Sequence, residues 1–132
     1  MVSTRSIAIV MLLGMMFGVP PVISAHHSVS AEYDTNQEVA LKGVVSKIEY
    51  TNPHTALFID VTDNDGTVTT WELELLPPAM LFRNGWTPTS VPVGVTLTVK
   101  CYLAKDGVHR AHANEAVMAD GRKLRLGMND PK

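Results

Sequence analysis

Cysteine, aromatic rings and charge are all scarce in this chain. Its 132 residues include one cysteine, three phenylalanines, two tryptophans and three tyrosines, and only 18% are Asp, Glu, Lys or Arg. A lone thiol, Cys101, excludes an internal disulfide, so stability must come from hydrophobic packing and sheet hydrogen bonds. With 11 basic against 13 acidic residues, no positive field is available for a nucleic-acid backbone or an anionic lipid surface, and nucleic acid is not expected as a partner. No phosphate-binding glycine pattern is present. The apolar run from Ile7 to Val19 is about 13 residues long, against the roughly 20 that a membrane-spanning helix needs.

What is present at the N-terminus reads as an export signal. Arg5 supplies the positive start, the apolar run follows, Pro20-Pro21 break it, and small residues stand at Ser24 and Ala25. Cleavage is expected after Ala25, in Ile23-Ser24-Ala25. Val29-Ser30-Ala31 is a rival site, although it lies farther from the apolar run than such sites usually do. No cysteine follows the run to carry a lipid anchor. The expected product is periplasmic or secreted, has no stable membrane insertion, and keeps about 107 residues, enough for one core and not for two. The signal removes only Arg5 among charged residues, so the acidic excess grows by one.

Beyond the signal (1–25), residues 26–37 read as a polar N-terminal arm, 38–127 as one β-barrel domain and 128–132 as a polar tail. Val39 to Tyr50 is rich in β-branched residues with a break in phase at Gly43, which points to a bulge bending a long strand. Thr51-Asn52-Pro53-His54 is a turn or strand edge, because proline cannot donate to a central ladder. Ala56 to Thr62 alternates, with Leu57, Ile59 and Val61 on one face. Asp63-Asn64-Asp65-Gly66 is a hairpin turn, and Thr67 to Leu75 is the next strand. Pro77 to Gly85 has the proline start and glycine stop of a short helix, with Trp86 packing back onto the barrel. Val95 to Leu103, Arg110 to Met118 and a short Lys123 to Leu126 complete the strands. The order, three strands, a helix and two further strands, predicts an all-β fold with one short helix, a small OB-like barrel of five or six strands. A generic β-sandwich is the alternative. Trp71, Phe58 and Phe82 are expected in the core under either.

Several landmarks carry a family resemblance: Ala25-His26-His27-Ser28 with Glu32-Tyr33-Asp34, Leu41-Lys42-Gly43-Val44-Val45, Glu49-Tyr50-Thr51-Asn52-Pro53-His54, Asn84-Gly85-Trp86, and Asp120-Gly121-Arg122-Lys123. Together they resemble a family of small secreted bacterial proteins known as domain of unknown function 6152. Tyr50 stands where that family's aromatic-x-Asn-Pro-His motif leads one to expect tryptophan. The resemblance implies an exported, β-rich domain and brings no activity with it.

The sharpest chemical feature is the pair His26-His27 behind the expected cleavage site. A mature N-terminal histidine offers its amine and its imidazole Nδ1 to one metal ion, and nitrogen-rich sites suit copper, nickel and zinc. The candidate metal ligands are His26, His27 and His54, with copper as the cofactor they would take and His112 as another source of the third nitrogen. Against this stands the plain reading of solvated histidines on an arm and a His54 that merely bonds its own turn. His109 and His112 are three apart, so a strand would turn them to opposite sides.

Other chemistry is thin. Ser28, His27 and Asp34 lie on the arm, where the geometry of nucleophilic catalysis could not be held. Glu72 and Glu74 share one outer strand face and read as solvated. Asp63 to Gly66 lacks the distal glutamate of a calcium loop. The expectation is therefore a non-enzymatic binding module with no catalytic residues. Its ligand face lies around Tyr50, Asn52 and His54, for a small-molecule ligand or another envelope protein. Copper binding is the second reading and a small copper oxygenase a distant third.

Overall fold

The computed structural model describes residues 28–127. The elements run α1 (Val29–Glu32), β1 (Tyr33–Glu49), β2 (Ala56–Thr62), β3 (Val68–Glu74), α2 (Pro78–Arg83), β4 (Thr96–Ala104), β5 (Arg110–Met118) and β6 (Lys123–Arg125). Strand order is β3-β2-β1-β4-β5-β6, and a further β3–β5 pairing closes the first five strands into a barrel, leaving β6 as an added edge. With α2 between β3 and β4, this is the expected OB-like topology.

A barrel this small closes only if one strand serves two neighbours, and β1 does so. Its first half pairs with β4 from Glu38↔Tyr102 to Val44↔Thr96. Its second half pairs with β2 from Val44↔Asp60 to Glu49↔Ala56. The bend between the halves is a bulge, but not at the expected glycine. Register passes from Val45↔Ile59 to Lys47↔Phe58, so Ser46 is the extra residue, and its hydroxyl bonds the Phe58 carbonyl at 3.3 Å. Gly43 serves a different need: a Cβ there would stand 2.8 Å from the Asp60 carbonyl oxygen. The glycine lets two backbones approach.

β1 also begins at Tyr33, six residues before the β-branched run starts. The polar stretch from Tyr33 to Glu38 is strand because β4 extends to meet it, with Tyr33 opposite Ala104. Tertiary pairing here overrides weak local propensity.

The core alternates as the sequence pattern requires. Leu57 and Ile59 of β2, Leu73 of β3, Leu97, Val99 and Cys101 of β4, and Ala111, Ala113 and Ala116 of β5 are fully buried. Three alanines on one strand leave room for the larger aliphatics opposite. α2 closes one side of the barrel with Leu81, its N-terminus set by Pro78. Gly85, at φ 91°, turns the chain so that Trp86 packs inward at 4% exposure. The aromatic core differs from expectation. Tyr33 and Trp86 are buried, whereas Phe82 is 43% exposed and Phe58 is only half-buried beneath the Lys47 ammonium. Phe58 lies one place from Leu57 and Ile59, so the pleat points it outward. Phe82 is the outer neighbour of Leu81 on a helix that shows one face to the barrel.

Candidate functional site

The closing seam of the barrel is where chemistry gathers. β3 and β5 run parallel with Leu73↔Ala111 and Glu74↔His112 in register. Leu73 and Leu75 point into the core, as do Ala111 and Ala113. Alternation therefore sends Glu74 and His112 to the outer face side by side. On the other flank of β3, Glu74 is opposite Ala56. The β2–β3 pairing continues past the strand end, since Leu75 N–H donates to the Thr55 carbonyl and Thr55 N–H to the Leu76 carbonyl. His54, two residues before Ala56, is then a diagonal neighbour of Glu74 on the same face. Its carbonyl accepts a 3.1 Å bond from the Thr51 hydroxyl, which ties the turn after β1. The Asn52–Pro53 peptide in that turn is cis.

Glu74 is thereby set between two imidazoles. Its Oε1 lies 3.6 Å from His54 Nε2 and 3.5 Å from His112 Nδ1. Its other oxygen, Oε2, accepts a 2.7 Å hydrogen bond from the Tyr33 hydroxyl. Tyr33 covers the group from the start of β1, its ring 5.6 Å from that of His112. The Arg110 guanidinium sits over the Tyr33 ring at 5.8 Å. The side chains differ in access. His54 is 47% exposed and Glu74 24%, while His112 is 10% exposed. The Nδ1 of His112 is buried and has no well-aligned hydrogen-bond partner among the described residues. Its approach to Oε1 is close enough for electrostatics and poorly directed for a hydrogen bond.

Burial pushes the Glu74 carboxyl up, but the adjoining His112, the Tyr33 hydroxyl and the charge of His54 together outweigh it and hold the group below the usual carboxylate value. Burial first, and then the Glu74 carboxylate that its hydroxyl contacts, raises Tyr33 well above an ordinary phenol. The arrangement is an anionic carboxylate with one oxygen anchored by a phenol and the other facing two imidazoles.

The chain entering β1 is fastened beside this group. Lys105 donates through Nζ to the Ser30 carbonyl at 2.7 Å and through its backbone N–H to the Glu32 carbonyl at 3.0 Å. Arg110 reaches Glu32 at 4.0 Å and Asp106 at 3.6 Å.

Of the residues singled out from sequence, His54 belongs to this group and His112 joins it. His26 and His27 lie outside the described residues. Asn52 is exposed on the turn. Tyr50 is half-buried and turns toward Phe82, ring centroids 5.5 Å apart, and burial raises its phenol. His109 is exposed, just before β5 begins, and its ring packs against Trp71 with centroids 5.0 Å apart. Glu74 corrects the expectation of a solvated face: it is on the outer face, but β5 and Tyr33 cover it. Nothing local marks it, because the strand that covers it is about 40 residues away in sequence. Cys101 is buried as expected, and burial followed by the Glu38 charge pushes its thiol up to about 12. Two shallow concavities, of about 300 and 480 Å³, lie at the opposite ends of β4 and β5, around Thr96 and Met118.

The sequence model of a family of unknown function (DUF6152) matches residues 16–113, a span that includes Tyr33, His54, Glu74 and His112. No curated protein and no solved structure matches the chain. No helix among the described residues is long and apolar enough to cross a membrane.

Proposed function

The chain belongs to that family of unknown function (DUF6152), and from this premise we propose that it is an exported, non-enzymatic binding barrel whose ligand site is the Tyr33–His54–Glu74–His112 group. The observation that carries the reading is the carboxylate facing two imidazoles, brought from β3, from β5 and from the turn before β2 to one partly open point. Buried polar groups normally satisfy one another. Here the buried His112 Nδ1 has no hydrogen-bond partner among the described residues and His54 stays half-exposed, an arrangement suited to a bound partner. Export rests on the N-terminal charge, apolar run and small-residue exit. The non-enzymatic reading rests on the sequence, in which no complete nucleophile–base–orienter constellation stands out.

The test is to recover the protein from a bacterial periplasm and record its native mass beside its denatured mass. A difference that disappears in Glu74→Ala and His54→Ala supports the site. A bound mass that survives both substitutions places the ligand elsewhere and overturns it.

A second reading, periplasmic copper binding through His26, His27 and His54, is favoured by one observation. The chain just after the two histidines is held against the barrel by Lys105 and Arg110, beside His54 and His112. From Tyr33 back to His26 the chain can span about 15 Å, counting α1 as helix, so the arm is long enough to return. Intact-mass measurement of the exported chain decides this: a mass beginning at His26 with one copper retained supports the brace, and a mass beginning at Glu32 ends it.

A further inference from the structure

We propose that His54, Glu74 and His112 form a barrel-borne site for one divalent transition-metal ion of the zinc or copper class, and that it works without the N-terminal amine. The inference rests on the reading of this group as the ligand site and names its ligand. It departs from the brace by placing three donors on the folded barrel itself.

The donor separations carry it. A tetrahedral ion with bonds of roughly 2.0–2.2 Å holds its ligand atoms roughly 3.3–3.6 Å from one another. Glu74 Oε1 stands 3.6 Å from His54 Nε2 and 3.5 Å from His112 Nδ1, so two edges of such a tetrahedron are in place. A direct charge-assisted bond would draw nitrogen and oxygen to roughly 2.7–2.9 Å. Both gaps are wider than that.

The second observation is the Nδ1 of His112, buried, without a hydrogen-bond partner among the described residues, and facing the same carboxylate oxygen. The third is Tyr33. Its hydroxyl donates to Oε2 at 2.7 Å, which leaves Oε1 to face the two imidazoles and orients the carboxylate, the role that outer hydrogen bonds play around metal ligands. Donor chemistry agrees, because imidazole with carboxylate suits zinc and copper better than calcium or magnesium. The two concavities lie at the far end of β4 and β5. An ion needs no such cavity.

Among the described residues, no three such ligands are already gathered around one point. Binding has to close the remaining edge, between the two imidazole nitrogens, and His54, the most exposed of the three, is the side chain with room to adjust. A fourth position stays open to water, a small ligand or an arm histidine.

The experiment titrates zinc chloride, and separately copper(II) sulfate, into the exported chain carrying His26→Ala and His27→Ala, which removes both arm imidazoles. Isothermal calorimetry reads stoichiometry and affinity, and copper EPR counts coordinated imidazole nitrogens. The expected result is one ion per chain with two imidazoles. Affinity should fall at least about tenfold in His54→Ala and Glu74→Gln, and by about 10- to 100-fold in Tyr33→Phe through the lost outer bond. His54→Ala changes a half-exposed side chain and keeps the fold, so its result stands even if a His112 variant misfolds. No binding to the double-alanine chain, or equal binding by its His54→Ala derivative, overturns the barrel site. The native-mass experiment separates the two readings: an organic mass lost in Glu74→Ala would keep the ligand site and refute the metal.

Discussion

Replacing Tyr33 by phenylalanine removes one oxygen and leaves the ring, which makes it a clean probe of how the site is built into the fold. The ring is 2% exposed and packed over His112, so its burial should be unchanged. What disappears is a 2.7 Å bond to the Glu74 carboxylate. Hydrogen bonds to charged groups contribute about 1.5–3 kcal/mol net. Glu74 remains 24% exposed, so water can take over the vacated Oε2, which brings the expected loss to about 1–2 kcal/mol. A domain of this size unfolds in urea with a slope of about 1–1.5 kcal/mol per molar, so the midpoint should fall by about 1 M. Tyr102, whose hydroxyl makes no side-chain hydrogen bond among the described residues, provides the control, and Tyr102→Phe should leave the midpoint nearly unmoved. Circular dichroism during urea titration is sufficient. If Tyr33→Phe moves the midpoint no more than Tyr102→Phe does, the phenol–carboxylate bond is not holding the start of β1 to the closing seam.

Three further outcomes follow from buried groups elsewhere. The Thr55 hydroxyl is fully buried and has no partner among the described residues, so Thr55→Val should stabilise by about 1 kcal/mol in the same titration; destabilisation would mean that the hydroxyl is satisfied. Gly127 lies where a Cβ would stand 2.5 Å from the Ala113 carbonyl oxygen, so Gly127→Ala should cost about 1–3 kcal/mol by forcing backbone apart, and an unchanged thermal midpoint would refute that packing. Cys101 has a thiol raised to about 12 in the fold against about 8.5 unfolded. Its neutral form is the one the fold favours, so its contribution to stability is whole below about 8.5 and declines as pH rises toward the folded value. Alkylation at pH 8 should be slow in the native protein and fast in denaturant, and stability should decline less steeply above pH 9 in Cys101→Ala; rapid native alkylation would contradict its burial.

Local chemistry made much of this protein legible in one dimension. The alternation of Leu57 and Ile59 set the second strand, Asp65-Gly66 set its hairpin, and Pro78 with Gly85 bounded the helix, because pleat, positive φ and a missing N–H act within a few residues. Their order was enough to anticipate a barrel with the helix between its third and fourth strands, and His54 stood out as a candidate ligand on its turn. Tertiary structure decided the rest. It placed the bulge at Ser46 rather than Gly43, began β1 at Tyr33 because β4 reaches back to pair with it, and turned Phe58 and Phe82 outward while burying Tyr33. Above all it made a site of Glu74. On its own strand that residue is one of two outward carboxylates. Only the parallel closure by β5 sets His112 beside it, and only the return of β1 lays Tyr33 across it. Such contacts join residues far apart in the chain, and no local pattern encodes which distant side chain will arrive.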